Sequence, residues 1–341
     1  MNRPAPSVPA VSHDKRLRAI ALLLAPAFVG HTIQLLSEDV PWAPWAGTRY
    51  WTTPGWHLVL PPWVILAIAG GLAAAVAGLA LRRTRPWMIA VIVLYVAHYF
   101  TYPYRIRNHM TLLLASLLAI GGAWLLGGLS GAVDRLGRGP HARLVDRWAV
   151  NGVALVLCIT YVFAALHKTN TGFLTFGPVS AAYRGVNDFW VYGDLGDRAP
   201  RWAVATATYG TLVVEYGFPI VARLSSTLRP FLVLGLLLFH FPHVAVMNVA
   251  DYPMIASTFY PSLFTAGHWR ILERYLARPS RWNVGGALLG AAAELWWLPY
   301  GGAMSAFGVG VCMLWGWAAG SLLPMGLSRL AARRKAEGPA S

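Results

Sequence analysis

The chain has 341 residues, of which 57% are hydrophobic and 12% are charged, with a mean hydropathy of +0.51 and a net charge of +15. A soluble globular domain carries about 25% charged residues, so this composition excludes a disordered chain and argues against a soluble enzyme. On a soluble protein the positive charge would suggest nucleic-acid binding, whereas on a membrane protein it is typical of cytoplasmic loops. The two cysteines, Cys158 and Cys312, lie inside apolar runs and offer neither a disulfide framework nor a CxxC metal pair.

Apolar segments recur along most of the chain. A membrane-spanning helix needs about 20 mostly apolar residues, and about ten segments approach this length. They cover residues 17–37, 57–81, 86–104, 109–129, 148–168, 201–222, 229–250, 253–268, 284–300 and 302–325. The eighth is short and contains Pro253 and Pro261, so we expect it to be broken or re-entrant. The sequence therefore predicts an all-α, polytopic transmembrane helical bundle.

The basic residues predict an orientation for this bundle. If the N-terminus is placed in the cytoplasm and the segments alternate, about three quarters of the 28 Lys and Arg residues fall on the cytoplasmic side, as the positive-inside rule requires. Both termini are then cytoplasmic, in a multi-pass protein of the cell membrane whose surroundings are the lipid bilayer. Because the charge is explained by topology, nucleic acid is not expected as a partner.

The predicted segments leave no room for a soluble domain. We expect a cytoplasmic N-terminal tail at residues 1–15, a transmembrane domain at 16–325 and a basic cytoplasmic tail at 326–341. The basic start followed by an apolar run superficially fits a signal peptide, but the run continues past residue 30 without a clear small-x-small site, so we do not expect cleavage. The long outer connection at 169–200 is predicted to include an interfacial helix.

Ionisable groups inside a bilayer are costly and mark functional sites by default. Most of the ten histidines fall at a similar predicted depth, near the outer face: His31, His57, His98, His109, His167, His240 and His243. Neighbouring polar residues extend this predicted layer, and they include Asn108, Tyr161, Asn170 and Asn248. Taken singly, the first three histidines are more simply explained as interfacial or hydrogen-bonded residues.

Lys168 ends the fifth segment, directly after His167 and close to Asn170. One interpretation is a lysine that extends to the interface. The other is a general base, because a lysine in water-poor surroundings can accept a proton from a weak acid such as a quinol hydroxyl. A histidine across the cavity could stabilise the developing anion, and a lipid-soluble substrate could enter sideways from the bilayer.

Two carboxylates lie inside predicted segments, Glu215 in the sixth and Glu294 in the ninth. We expect Glu215 to have a structural role and to pair with Arg223 or Tyr216. Together with the broken eighth segment, these carboxylates favour a transport pathway, although the sequence shows no inverted repeat of the kind found in transporters.

Histidine is a common ligand of haem iron and of zinc, so both cofactors are candidates. A b-type haem needs axial histidines at facing positions of paired helices, but these histidines lie nearer the outer end than the middle of their segments. His240 and His243 form an i, i+3 pair, and only Asp251 is near enough in sequence to complete a zinc site. We therefore expect no metal.

Three segments carry a family resemblance. Residues 108–119 read NHMTLLLASLLA, residues 161–174 read YVFAALHKTNTGFL, and residues 239–248 read FHFPHVAVMN, with YPMIAS at 252–257. In this order they resemble the NHxYLxxLLA segment, the YxxAGxxKLxxxF segment and the later His-Met-Asn segment of the vitamin K-dependent gamma-carboxylase and HTTM membrane family. The resemblance extends from about residue 15 to about residue 325.

This resemblance implies a chemistry. Lys168 matches the lysine that acts as the base on vitamin K hydroquinone. In that family the deprotonated quinol reacts with oxygen to give a strongly basic alkoxide, which removes a γ-proton from a substrate glutamate, and the carbanion takes up CO2. His109 matches the histidine that helps to stabilise the carbanion. Either His240 or His243 matches the histidine of the third segment, because the spacing to Asn248 leaves both open.

The resemblance thus implies reduced vitamin K or menaquinol as a cofactor and a secreted peptide or protein as a substrate. The implied catalytic residues are Lys168, His109 and His243, and the implied substrate- or cofactor-binding residues are His167, Asn170, Tyr161, Asn108, His240 and Asn248.

The chain departs from the family in three respects. Animal-type carboxylases have two adjacent lysines where this chain has His167–Lys168, and Ala165 stands where the family usually has Gly. The chain is also a compact, bacterial-type form without the large lumenal domain that grips substrate propeptides. Two function classes follow: a quinol-dependent, carboxylase-like enzyme with its site at the outer face, and a non-catalytic membrane protein, either a maturation partner for a secreted peptide or a transporter.

Overall fold

A computed structural model describes residues 14–37, 61–82, 84–101, 108–129, 140–176, 200–245, 251–297 and 303–337. Over these residues the chain is helical and contains no β-strand, which confirms the predicted all-α class. The helices are α1 Lys15–Ser37, α2 Pro62–Arg82, α3 Arg85–Thr101, α4 Asn108–Leu129, α5 Pro140–Lys168, α6 Thr171–Leu174, α7 Arg201–Leu224, α8 Arg229–Ala245, α9 Asp251–Phe259, α10 Ala266–Ala277, α11 Arg281–Trp297 and α12 Ala303–Glu337.

Three of these helices contain segments long and apolar enough to cross a membrane. The segments are His109–Leu129 in α4, Arg143–Lys168 in α5 and Val309–Arg333 in α12. Shorter apolar segments are Leu66–Arg82 in α2 and Arg229–Phe241 in α8. Large apolar side chains on the helices are also exposed, among them Leu125, Leu155, Phe163, Val213 and Leu289. Extensive exposed apolar surface marks a membrane or protein contact, so these helices have the character of membrane helices.

The eighth predicted segment is not one helix, which confirms that it is broken. Helix α9 ends at Phe259, a 3₁₀ turn covers Tyr260–Leu263, and α10 begins at Ala266. Pro261 lies in the turn, where it has no N–H to continue an α-helix. At the other end of the chain, α12 continues through the residues predicted as a basic tail and ends at Glu337.

The chain divides into two compact units. The first comprises Met1–Leu157 with Thr258–Ser262, and the second comprises Cys158–Ser257 with Leu263–Ser341. In the first unit α2 packs against α1 and α3, and α3 packs against α4. In the second unit α8 packs against α7, α11 and α12, and α12 also packs against α10 and α11.

Polar contacts join the helices of the first unit. The Tyr95 hydroxyl of α3 donates to the carbonyl of Met110 in α4 at 3.2 Å. Arg85, at the start of α3, lies 3.6 Å from the buried carboxylate of Asp146 in α5, and its guanidinium lies 5.5 Å from the centroid of the Trp124 ring. A buried carboxylate needs such a counter-charge, so this ion pair holds the ends of α3 and α5 together.

Glycines allow α11 and α12 to approach each other closely. A Cβ on Gly286 would overlap the carbonyl of Gly316, and a Cβ on Gly290 would overlap the carbonyl of Cys312. Small residues four positions apart are typical of closely packed membrane helices. The buried side chain of Asn283 adds hydrogen bonds across the same contact, to the Trp317 carbonyl at 2.9 Å and to the Ser321 hydroxyl.

This contact predicts the outcome of two neighbouring substitutions. Gly286→Ala should push the backbones of α11 and α12 apart and lower the free energy of unfolding by about 1–3 kcal/mol, as overpacking does. Gly285→Ala is the matched control, because nothing lies within 4 Å of a Cβ at that position. Thermal unfolding of the detergent-solubilised protein measures both, and equal melting temperatures for the two variants would contradict the close contact.

Candidate functional site

The part of α5 from Cys158 onward belongs to the second unit and presents one face to the other helices of that unit. Tyr161, Ala165 and Lys168 follow one another at helical spacing on this face. Tyr161 and Ala165 are buried, whereas Lys168 is half-buried. His167 and Lys168 form the last turn of α5, where positive charge is favourable to the helix dipole. The His167 side chain is exposed.

Lys168 forms an ion pair with Glu215 of α7. Its Nζ donates to Glu215 Oε1 at 2.5 Å, and the lysine side chain is 29% exposed while the glutamate side chain is 6% exposed. The expected pairing of Glu215 with Arg223 or Tyr216 is therefore wrong. The Tyr216 hydroxyl instead shares a 2.9 Å hydrogen bond with the hydroxyl of Thr169. The Lys168–Glu215 contact is a charge-assisted hydrogen bond, which is roughly twice as strong as a neutral one. It joins α5 to α7.

Glu215 retains acceptor capacity beyond the ion pair. Its Oε2 atom is buried and has no hydrogen-bond partner among the described residues. Pro219 lies four residues further along α7 and has no N–H to donate to the Glu215 carbonyl, so the backbone ladder is interrupted at this point. The surroundings of Glu215 can therefore accept a hydrogen bond from a ligand hydroxyl.

Further polar side chains continue from Glu215. The Tyr252 phenol of α9 interacts electrostatically with the Glu215 carboxyl, and its ring centroid lies 5.8 Å from that of His240 in α8. His240 Nε2 shares a 2.7 Å hydrogen bond with the Tyr161 hydroxyl, and Phe218 packs against the Tyr161 ring at 4.5 Å. We refer to the five ionisable residues as the acid–base cluster: Lys168, Glu215, Tyr252, His240 and Tyr161.

The acid–base cluster lies partway along α7. At about 1.5 Å per residue, Glu215 is about 21 Å from the first residue of this helix and about 12 Å from Arg223. The ion pair brings Lys168 to the same level. After Lys168 the chain runs back toward the start of α7, because the Phe176 ring contacts Tyr209 at 5.6 Å. This position argues against a lysine that extends to the interface.

Asn170 connects α5 to α6. Its Nδ2 donates to the His167 carbonyl at 2.5 Å, and its Oδ1 accepts from the Phe173 N–H at 3.0 Å. The side chain thus satisfies the end of one helix and caps the start of the next. This capping fixes the turn that follows Lys168, and a role in substrate binding stays a prediction for this residue.

The remaining predicted residues are distributed more widely. His109 is buried near the start of α4, in the first unit. The side chains of Asn108 and His243 and the whole of Asn248 lie outside the described residues, as do the side chains of His31, His57 and Glu294. Within the second unit the structure brings together Lys168, Tyr161 and His240. Their predicted catalytic and binding roles stay predictions.

Two members of the cluster were not identified as site residues from sequence. Glu215 was assigned a structural role, although a buried carboxylate requires a partner and Lys168 stands at the end of an apolar segment. Tyr252 was noted only as part of the YPMIAS segment, since a tyrosine near a predicted helix end carries no distinctive signal. Among the described residues, no group of three or more His, Cys, Asp or Glu side chains could hold a metal ion.

Fold and site together define a helical protein of membrane type with ionisable side chains clustered between its helices. In comparisons with known proteins, no protein-family model, no curated protein and no solved structure matches this chain.

The ion pair predicts a strong coupling between two substitutions. Lys168→Met should destabilise the protein by about 3 kcal/mol, because it leaves a buried carboxylate without its counter-charge. The double variant Lys168→Met/Glu215→Leu should recover most of this loss. Unfolding in a denaturing detergent series gives the free energies, and Lys335→Met, an exposed lysine of α12, is the control. The pairing would be contradicted if the double variant lost as much unfolding free energy as Lys168→Met and Glu215→Leu lose separately when their losses are added.

Proposed function

We propose that this is a multi-pass protein of the cell membrane, with about ten membrane segments and both termini in the cytoplasm. The three long apolar helices support the membrane placement. The distribution of basic residues between alternate connections supports the orientation.

We further propose that the acid–base cluster removes a proton from a lipid-soluble weak acid, namely a reduced quinone of the vitamin K or menaquinol type, in a carboxylase-like reaction. The observation that carries this proposal is the Lys168–Glu215 ion pair, in which a partly exposed lysine is backed by a buried carboxylate. The resemblance of the segment around Lys168 to that of the gamma-carboxylase and HTTM family supports the choice of a quinol.

The residues present fit such a ligand. Glu215 Oε2 is a buried acceptor without a hydrogen-bond partner among the described residues, and the side chain of Lys168, which pairs with Oε1, is 29% exposed. On α5, the apolar side chains of Phe163 and Leu166 are more than half exposed, on the side of the helix that faces away from Tyr161, Ala165 and Lys168. They give α5 an apolar outer surface of the kind that contacts lipid, which is the phase from which a quinol would arrive.

The cluster provides a route for the proton. A reduced quinone would supply the acidic hydroxyl and the electrons for a reaction with oxygen. In apolar surroundings Lys168 can pass a proton to Glu215 and then accept the hydroxyl proton as a free amine. Tyr252, which interacts electrostatically with Glu215, and His240, whose ring centroid lies 5.8 Å from that of Tyr252, can take part in moving the proton onward. Lys168 is thus the base, Glu215 its proton acceptor, and the Tyr161 hydroxyl orients the His240 ring.

Quinone turnover tests this proposal. We expect the purified full-length protein, in vesicles that contain reduced menaquinone or vitamin K under oxygen, to form the quinone epoxide. Lys168→Arg should lower the rate by about 100-fold or more, because arginine retains the charge of the ion pair but does not act as a base. Tyr216→Phe should retain the wild-type rate, since this hydroxyl contacts Thr169 and not Lys168.

Epoxide formation and carboxylation are measured separately. Incorporation of labelled bicarbonate into a glutamate-containing peptide reports the second reaction. No epoxide from folded, quinone-loaded wild-type protein would overturn the enzymatic proposal. An unchanged rate in Lys168→Arg would remove Lys168 as the base.

The continuity of the acid–base cluster also favours a second candidate function, a proton-coupled transporter. Chains of ionisable side chains within membrane helices are typical of proton relays. A pH gradient across protein-containing vesicles should then dissipate faster than in protein-free vesicles, and Glu215→Gln should abolish the difference. Binding of a secreted peptide without turnover or proton flux would instead indicate a maturation partner.

A further inference from the structure

The start of α8 and the end of the apolar segment of α12, both in the second unit, lie beside the start of α10. Arg229, the first residue of α8, donates from Nε to the Ala222 carbonyl near the end of α7 at 3.0 Å, and from a terminal nitrogen to the Leu263 carbonyl at 3.2 Å. Arg329 lies near the end of the apolar segment of α12 and acts electrostatically on His268 of α10, as Arg229 does. Because the apolar segments of α8 and α12 both have an end at this level, a membrane boundary lies here on the membrane placement proposed above.

Helix α10 has the properties of an interfacial helix. A capping box between Thr265 and His268 fixes its start, and its 12 residues extend over about 18 Å, too short to cross a bilayer. One side carries the apolar residues Ile271, Leu272 and Tyr275, which are buried or half-buried, and the other carries the exposed residues Arg270, Arg274 and Arg278. The apolar side packs against the protein, where α10 contacts α12, and the basic side stays exposed, an arrangement that suits a helix at the membrane surface.

A cavity of about 430 Å³ lies along the border between these two sides. It is lined by Ile271, Arg274, Tyr275 and Arg278, which follow one another along one edge of the helix. All four lining residues come from this one helix and its last turn, so the cavity is open at the surface of α10. Guanidinium groups bind phosphate through paired N–H donors, while the isoleucine and the tyrosine ring offer apolar contact.

We propose that this cavity binds the headgroup of an anionic phospholipid, with Arg274 and Arg278 on the phosphate and Ile271 and Tyr275 against the glycerol and the first acyl carbons. The apolar half of the lining favours a lipid over a free anion. So does the basic character of this end of the unit, since anionic lipids concentrate at membrane surfaces that carry clustered Lys and Arg. The proposal rests on the membrane placement above and is independent of the quinol chemistry.

The test uses the full-length protein in a neutral detergent, titrated with phosphatidylglycerol, phosphatidylcholine or inorganic phosphate. Thermal unfolding reports binding, because a ligand that binds the folded state raises the melting temperature in proportion to its occupancy. We expect stabilisation by phosphatidylglycerol and none by the other two. Arg274→Gln/Arg278→Gln should weaken the apparent affinity for phosphatidylglycerol by about tenfold or more, and Arg274→Lys/Arg278→Lys should restore part of it.

The matched control is Arg143→Gln/Arg147→Gln. These exposed arginines of α5 have the same spacing as Arg274 and Arg278, and their substitution removes the same charge. Equal weakening by this control would show general attraction to anionic lipid and overturn the site. Equal stabilisation by inorganic phosphate would overturn the lipid as its ligand. Failure of the wild-type protein to insert into phosphatidylcholine vesicles would reject the membrane placement itself, whereas insertion without a preference for phosphatidylglycerol would reject only this inference.

Discussion

The second unit is organised around one buried carboxylate. Glu215 lies on a helix between apolar neighbours, where an isolated charge costs several kcal/mol. Lys168 is the counter-charge, and it reaches Glu215 because α5 ends at that level. Asn170 then caps both adjoining helix ends, so the chain can turn and run back along α7 without exposing unpaired backbone groups. The ion pair thus fixes where the end of α5 meets α7, and the Asn170 bonds fix the turn into α6.

The two sides of this unit differ in how their helices are held. In α11 and α12 the glycines bring backbones into contact, and Asn283 adds hydrogen bonds across them. This pair has little freedom to shift, because close-packed interfaces resist small displacements. In α7, Pro219 has no N–H to donate to the backbone carbonyl of Glu215. A ligand or a proton at Glu215 therefore acts on the helix where its backbone ladder is weakest, while the rigid pair keeps the rest of the unit in place.

Local patterns predicted most of the helices, because apolar length and proline positions act within one segment. The starts of α7 and α8 agree with the predicted segments, and Pro261 marks the break before α10. The extension of α12 was not expected: its last turns contain Ala, Arg and Lys, which favour helix even outside an apolar segment. The partner of Glu215 was predicted wrongly because the prediction placed every helix end at an interface. Lys168 is the last residue of α5, and it pairs with Glu215, which lies about 12 Å from Arg223 along α7. Only packing between segments that are distant in sequence decides where along α7 the end of α5 lies.

The position of the acid–base cluster along α7 constrains any chemistry performed there. Because the cluster lies partway along α7 and not at an end of that helix, a lipid-soluble substrate suits it better than a water-soluble one under the proposed membrane placement. A proton taken from that substrate cannot be left on an isolated group in hydrocarbon. It needs an acceptor and a relay: Glu215 is the carboxylate paired with Lys168, and the phenol of Tyr252 and the ring of His240, 5.8 Å apart between centroids, are the next ionisable groups of the cluster. A lone interfacial lysine would need none of them. The continuation of polar groups behind Lys168 is therefore the feature that favours proton transfer over anchoring, whichever molecule supplies the proton.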